Sequence, residues 1–430
     1  MTSWIFAIFF LPYIAVPLYF IIGIRKRKSK NEKDFLHFHD VSGYDQYIYR
    51  EKLHGIIAIL EKNGIPPATL QNTFELITDN TDAFDRMLKE IYAAEESIDM
   101  CTYVFKFDKS TEAILTALTQ KAKEGVKVRL LIDLIGSLGA NFQRKGFQSL
   151  VDAGGEVEFF IPFFKRPLQS YINLREHRKI YLFDKKRLLS GGMNLSDEYM
   201  GEGDSRERWD DLMYYLEGPE VAIFYSIFHN DWGYATQTEE EVTLSVEDTF
   251  QGDCVAQAVP SGPDMERDAL YEALLHIIYT AKKRIWIVTP YFVPDENIMQ
   301  ALIIAVHRDV DVKLITPKVS NQRLADMARS SYMRELESVG GDVQLHNGAM
   351  LHAKAMLIDD LGGMVGSLNL DNRSLFLNYE VVTFISSPSF VENIESWMQT
   401  LMLHSTKGMA RPSKMREASE NIMKVFSPLL

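Results

Sequence analysis

The residues able to do chemistry in this chain fall in two short runs. Toward the C-terminus, LHAKAMLIDDLGGMVGSLNLDNRSLFLNYE sets His352, Lys354 and Asp359 in H-x-K-x4-D spacing and continues to Gly366, Ser367 and Asn369. On an extended strand alternate side chains share a face, so His352 and Lys354 point the same way, whereas Asp359, seven residues on, has the opposite parity. A nucleophile or proton carrier therefore stands beside a fixed cation. Asp-Asp-Leu-Gly-Gly reads as a turn, Gly366 and Ser367 are small where backbone or substrate must come close, and Asn369 offers an amide. Such a pocket suits a phosphate.

The same device occurs 175 residues earlier as His177, Lys179, Asp184, Gly191, Gly192 and Asn194, and in both copies 17 residues separate His from Asn. A single three-letter pattern turns up by accident, since a lone His is usually a core or surface residue and a Lys two away is usually solvated. Two copies with matching continuations are not accidental.

Brought into one pocket, the two sets make a phosphodiester-transfer site. One imidazole must be neutral to attack phosphorus and the other protonated to serve the leaving alkoxide, and histidine suits both roles near neutral pH. Lys179 and Lys354 supply positive charge as it builds on the phosphoryl oxygens, and Asn194 and Asn369 add hydrogen bonds. A carboxylate on the far nitrogen of the attacking imidazole would stabilise the cation it becomes. Asp211 and Glu380 are the candidates, each on the strand after its motif and eight residues before a proline, Pro219 or Pro388. Asp184 and Asp359, by parity, face away from their histidines and anchor the motif strands.

With these motifs the chain resembles the phospholipase D superfamily, whose HKD motif appears twice to make one active site without a metal. GSLNLDNRSLFLNYE, the closing FSPLL, LREHRKI, TPYFVPD from Thr289 to Asp295 and SGP from Ser261 to Pro263 are similar to bacterial cardiolipin synthases. The likeness runs from about residue 70 to residue 430. It implies His177, Lys179, Asp184, His352, Lys354 and Asp359 as catalytic residues, with His177 the nucleophile and His352 the acid. Asn194, Asn369 and Ser367 are then the substrate-binding residues, and Asp211 and Glu380 support the histidines. The implied reaction joins two phosphatidylglycerol molecules into cardiolipin with loss of glycerol. Water as second acceptor would instead make the enzyme a phospholipase D. A nucleic-acid phosphodiesterase or a non-catalytic lipid-binding scaffold are the further alternatives.

Positioning such a site requires a repeated frame, and the pattern supplies one. AFDRMLKEIYAAEE reads as a helix, SIDMCTYVF as a strand, STEAILTALTQKAKEG as a helix and VKVRLLIDL as a strand. LYEALLHIIYTAKK, RIWIVTPYF, NIMQALIIAVHRD and VDVKLITP repeat that order, with Thr102 and Phe105 matching Thr289 and Phe292. Strands separated by helices of this length pair in parallel. The expected fold is α/β and phospholipase D-like: two pseudo-symmetric halves, residues 70–245 and 246–430, each with a mixed sheet flanked by helices. QTEEEVTLSVEDTFQGD is their polar link, and residues 31–69, with the helical-looking YREKLHGIIAILEKNG, form a spacer before them. The aromatic run from Phe159 to Phe164 reads as a buried strand with its exit loop, the alternative being a segment that dips into a lipid headgroup layer.

Residues 4–24 carry no charge, long enough for one transmembrane helix, and Arg25, Lys26, Arg27, Lys28 and Lys30 follow at once. A secretory signal peptide would want its positive charge before the apolar run. The basic flank places the catalytic portion on the cytoplasmic face of the cell membrane and draws it to anionic headgroups. Many bacterial cardiolipin synthases carry two such helices; this chain shows one. Overall charge is −13, so beyond those five basic residues the remainder carries −18, which argues against nucleic acid as a partner. Two cysteines in no ligand spacing, and no metal motif, give no reason to invoke a metal or cofactor.

Overall fold

The computed structural model describes residues 54–160, 174–238 apart from 204 and 206, and 250–416, with isolated positions near both ends. The proposed membrane helix and its basic flank, the aromatic run beyond Phe160 and most of the polar link lie outside the described residues. Among the described residues no helix is long and apolar enough to cross a membrane.

The first half runs α1 (His54–Lys62), β1 (Thr69–Ile77), α2 (Asn80–Ala93), β2 (Ser97–Thr102), α3 (Lys109–Lys123), β3 (Lys127–Asp133), β4 (Glu156–Phe160), β5 (Ile180–Phe183), β6 (Arg187–Gly191), β7 (Met213–Glu217) and α4 (Val221–Thr236). The second runs β8 (Cys254–Ser261), α5 (Ala269–Thr280), β9 (Arg284–Val288), β10 (Phe292–Val293), α6 (Glu296–His307), β11 (Asp311–Pro317), α7 (Arg323–Ser338) and β12 (Asp342–His346). It ends with β13 (Ala355–Ile358), β14 (Gly362–Gly366), β15 (Leu370–Asp371), β16 (Glu380–Ser386), α8 (Pro388–Leu403) and β17 (Ser405–Lys407). Local chemistry sets the boundaries. Asp79 caps α2 by accepting from the N–H of Thr81 and Asp82, Asp108 and Thr111 form a capping box on α3, and Ser387 with Pro388 opens α8. Every residue of β2 is buried, and of β3 all but Lys127, as expected for parallel strands covered on both faces.

The strand order repeats. In the first half it is β4-β3-β2-β5-β6-β7-β1 and in the second β12-β11-β9-β13-β14-β16-β8, with β17 added at the second edge. In each half three parallel strands lead into the antiparallel hairpin that follows the motif, β5–β6 or β13–β14. The halves do not hold separate sheets: β1 pairs antiparallel with β8, and one continuous 15-stranded sheet crosses the molecule. The seam is irregular, with its register shifting between Thr69 and Asn72 and Gln71 held at φ 62°. The apolar core is continuous there too, joining Leu216 of β7 and Phe228 of α4 to Val259 of β8 and Leu274 of α5. The end of the expected spacer is not loose chain, since α1 buries Ile56 and Leu60 in that core and Asn63 donates 2.8 Å to Glu272 of α5.

Candidate active site

Two isolated parallel bridges, Glu176 with Tyr379 and Asp210 with Leu351, cross between the halves just before each motif histidine. His177 then donates its backbone N–H to the Tyr379 carbonyl at 2.9 Å, and His352 donates to the Asp210 carbonyl at 2.7 Å. Each bond places the next residue's carboxylate beside the imidazole. His177 Nδ1 lies 2.8 Å from Glu380 Oε2 and His352 Nδ1 lies 2.7 Å from Asp211 Oδ2. The carboxylates are thus exchanged: each histidine is held by the half it does not belong to. Nδ1 being taken on both rings, Nε2 of His177 is the nitrogen left for substrate, whereas Nε2 of His352 also stands within reach of the Lys354 ammonium. His177, His352, Asn194 and Asn369 all line one cavity of about 440 Å³, together with Arg175 and Arg373.

The two lysines lie buried beneath their histidines. Lys179 Nζ donates to the His177 carbonyl at 2.7 Å; Lys354 Nζ donates to the His352 carbonyl and also stands 2.9 and 3.0 Å from the two nitrogens of that ring. Burial pulls His177 down to about 4, with Glu380 opposing and Lys179 adding to the pull. Burial and then Lys354 bring His352 to about 3 against the attraction of Asp211. Burial also lowers Lys179 to about 8 and Lys354 to about 7. The carboxylates go the other way from what burial alone would do, because His352 and Lys354 hold Asp211 below its ordinary range, and His177 and Lys179 do so for Glu380. A phosphodiester entering beside the rings would favour the charged form of both imidazoles and both ammonium groups.

Asp184 and Asp359 are not brought to the cavity. Each occupies the turn after its motif strand in the left-handed region, at φ 55° and 50°, a conformation Asp tolerates. Asp184 accepts from the backbone N–H groups of Glu95, Glu96 and Ser97, and Asp359 from those of Lys282, Lys283 and Arg284. Each carboxylate thereby ties its motif hairpin to the start of the neighbouring parallel strand. Ser367, read from sequence as substrate-binding, is fully buried instead: its hydroxyl donates to Glu380 Oε2 at 2.5 Å and so braces the partner of His177. Gly192 holds the corresponding place in the first half, where a Cβ would come within 2.1 Å of Asp211 Oδ1. Gly191 and Gly366 make room for backbone, not substrate, since Cβ atoms there would meet the carbonyls of Leu212 and Val381. Asn194 Oδ1 accepts from the Val104 N–H at 3.1 Å, and Asn369 Nδ2 donates to Ser374 at 3.3 Å.

Sequence reasoning passed over the aromatic walls and one buried cation. The Tyr103 ring stands edge-on to His177 at 4.9 Å between centroids, and Trp209 and Tyr199 flank His352 at 5.2 and 5.4 Å. Tyr103 follows the matched Thr102 at the C-terminal end of a parallel strand, where α/β sheets bind ligands. Arg178, beside His177, is wholly buried; it reaches Asp231 at 2.8 Å and Asp264 at 3.0 Å and donates Nε to the Glu380 carbonyl at 3.1 Å. Ala353 stands at its place in the second half.

Residues 87–232 and 274–402 match the family described as cardiolipin synthase, PLD-like domain. The chain belongs to this family. It is 32% identical over 450 residues to a cardiolipin synthase of Clostridium perfringens, covering 100% of this chain and 94% of that one. It is 30% identical to the major cardiolipin synthase of Bacillus subtilis, covering 100% and 93%. Among solved structures, phosphatidylserine synthase of Haemophilus influenzae superposes with a TM-score of 0.65 at 16% identity, over 87% of this chain and 100% of that one. A polyphosphate kinase of Porphyromonas gingivalis gives 0.52 at 12% identity, over 83% and 53%. At such identities these two share the fold alone.

Proposed function

We propose that this protein transfers a phosphatidyl group at a membrane surface, making cardiolipin and glycerol from two phosphatidylglycerol molecules. The observation that carries the reading is the pair of carboxylate-backed imidazoles on one cavity wall. Neutral His177, its Nδ1–H donating to Glu380, attacks phosphorus through Nε2, and the P–O bond to glycerol breaks as protonated His352 gives its proton to the leaving oxygen. A hydroxyl of the second phosphatidylglycerol then gives a proton to His352 and attacks the same phosphorus, and the N–P bond breaks. Lys179, Lys354 and the amides of Asn194 and Asn369 stabilise the charge on the phosphoryl oxygens in both steps. Asp184 and Asp359 act by holding the hairpins in place. The two halves, 70–245 and 246–430, work as one unit, and residues 4–24 anchor them with the cavity on the cytoplasmic face, where headgroups are concentrated.

Incubation with labelled phosphatidylglycerol in the absence of added metal tests the reading: cardiolipin with glycerol supports it, phosphatidic acid makes the protein a hydrolase, and no product refutes both. Trapping the lipid-modified enzyme and mapping the peptide assigns the nucleophile. A label on His352 would reverse the two roles.

A further inference from the structure

The strands β3 and β11 hold the same place in their halves, and the loop after each, with the first turn of the helix it enters, borders the cavity: Gly136 lines it from one side, and Asn321, Gln322 and Ala325 from the other. Beside these lining residues stand exposed apolar side chains: Ile135 in the first loop with Leu138 and Phe142 on the short helical turn 138–142 that follows it, and Val319 in the second loop with Leu324 in the first turn of α7. They are not marginal cases, since Phe142 is 78% and Val319 71% exposed. In a chain with 59 acidic and 46 basic residues, the stretches 134–145 and 318–325 contain no Asp or Glu, and they carry Arg144, Lys145, Lys318 and Arg323. Among the described residues none of these four cations pairs with a carboxylate; Arg144 bonds Asn141 and Lys318 bonds Asn347. Apolar tips interleaved with cations that no neighbouring carboxylate neutralises among the described residues, on both sides of one opening in an otherwise acidic protein, are the composition of an interfacial membrane contact.

We propose that these two loops are a docking surface for an anionic bilayer, seating the mouth of the cavity on the headgroup layer. The five apolar side chains enter the interface and the four cations lie against lipid phosphates. The surface serves the lipid-transfer reading above and rests on it, because a lipid whose acyl chains stay in the bilayer reaches the imidazoles only if the opening lies flush with the headgroups. Binding by residues 4–24 would tether the protein but would not orient it; the two loops do that.

The test is made on the full chain, with nitroxide labels on single cysteines introduced by Phe142→Cys, Leu324→Cys and, at the opposite ends of the parallel strands, Tyr92→Cys and Tyr279→Cys. Cys101 and Cys254 are buried, so the label goes to the introduced thiol. In vesicles of phosphatidylglycerol the labels at 142 and 324 are expected to gain exposure to oxygen and lose exposure to a water-soluble nickel complex, while those at 92 and 279 stay in water. Equal water exposure at all four positions overturns the proposal. The pair Phe142→Ser and Leu324→Ser is expected to lower turnover on vesicles about tenfold and leave turnover on water-soluble short-chain phosphatidylglycerol unchanged. Equal loss on both substrates, or loss on neither, counts against it. Cardiolipin measured in the same labelled vesicles separates the two readings: labels in the bilayer without cardiolipin sink the activity alone, and cardiolipin with labels in water sinks the docking surface alone.

Discussion

The two copies of the motif share a backbone and differ in what braces them. Glu380, which holds His177, is itself fixed by the Ser367 hydroxyl, by the Asn378 amide at 3.3 Å and by Arg178 on its carbonyl. Asp211, which holds His352, is a shorter side chain beside a glycine, and its other bond is from the Leu212 N–H at 2.8 Å. Lys354 lies against the ring of His352, whereas Lys179 keeps to the carbonyl of His177. A duplicated frame therefore presents two unlike imidazoles. One has a carboxylate held by two side chains, on a residue whose carbonyl is held by a third, and suits a nucleophile that must keep one tautomer; the other has a cation at its ring and suits a group that gives up a proton readily.

Removing either imidazole should have the largest effect. His177→Ala and His352→Ala are each expected to lower cardiolipin formation by at least about a thousandfold, and only the enzyme retaining His177 should accumulate a lipid adduct. An equal adduct from both variants would erase the distinction between the halves. Next come the exchanged carboxylates, where Glu380→Gln and Asp211→Asn keep the shape and release the tautomer, for an expected loss of roughly a hundredfold or more in kcat at unchanged thermal stability. Gly192→Ser puts a Cβ into the Asp211 carboxylate and should cost roughly tenfold, whereas Ser367→Ala removes one of several supports of Glu380 and should cost about fivefold. If Gly192→Ser is the milder change, the proposed difference in bracing is wrong.

The smallest expected effect is on stability. In the unfolded chain both histidines take up protons near the ordinary 6.5, but in the folded protein only near 4 and 3. Unfolding therefore absorbs protons between these values, and the lipid-free protein should lose stability as pH falls from about 6.5 toward 4. Melting curves across that range should show a shallower fall for His177→Asn, and no difference from the parent would count against a buried neutral ring.

Much of the site is legible in the residues because it is written locally. The spacing of His177 and Lys179, the turn after the hairpin strand and the small residues at 191–192 and 366–367 depend on neighbours a few positions away. The shared offset to a proline also picks out Asp211 and Glu380, but not their exchange, which joins residues 203 and 141 positions apart. Nor does the local pattern show that Ser367 braces Glu380, which lies on another strand of the sheet. The seam escaped notice because its strands signal weakly: β1 carries Gln71 and Asn72 at a bulge, and β8 contains Pro260. Asp184 and Asp359 do turn away from their histidines, though through a left-handed turn and not through strand parity.

The exchange of carboxylates across the seam also bears on how the protein is made. His177 leaves the ribosome about two hundred residues before Glu380, so its imidazole has no partner until the last strands are laid in. Long-range closure of this kind is the slow part of folding. A nascent or truncated chain therefore carries the first motif with its imidazole unpartnered, and the paired arrangement exists only once the whole sheet has closed.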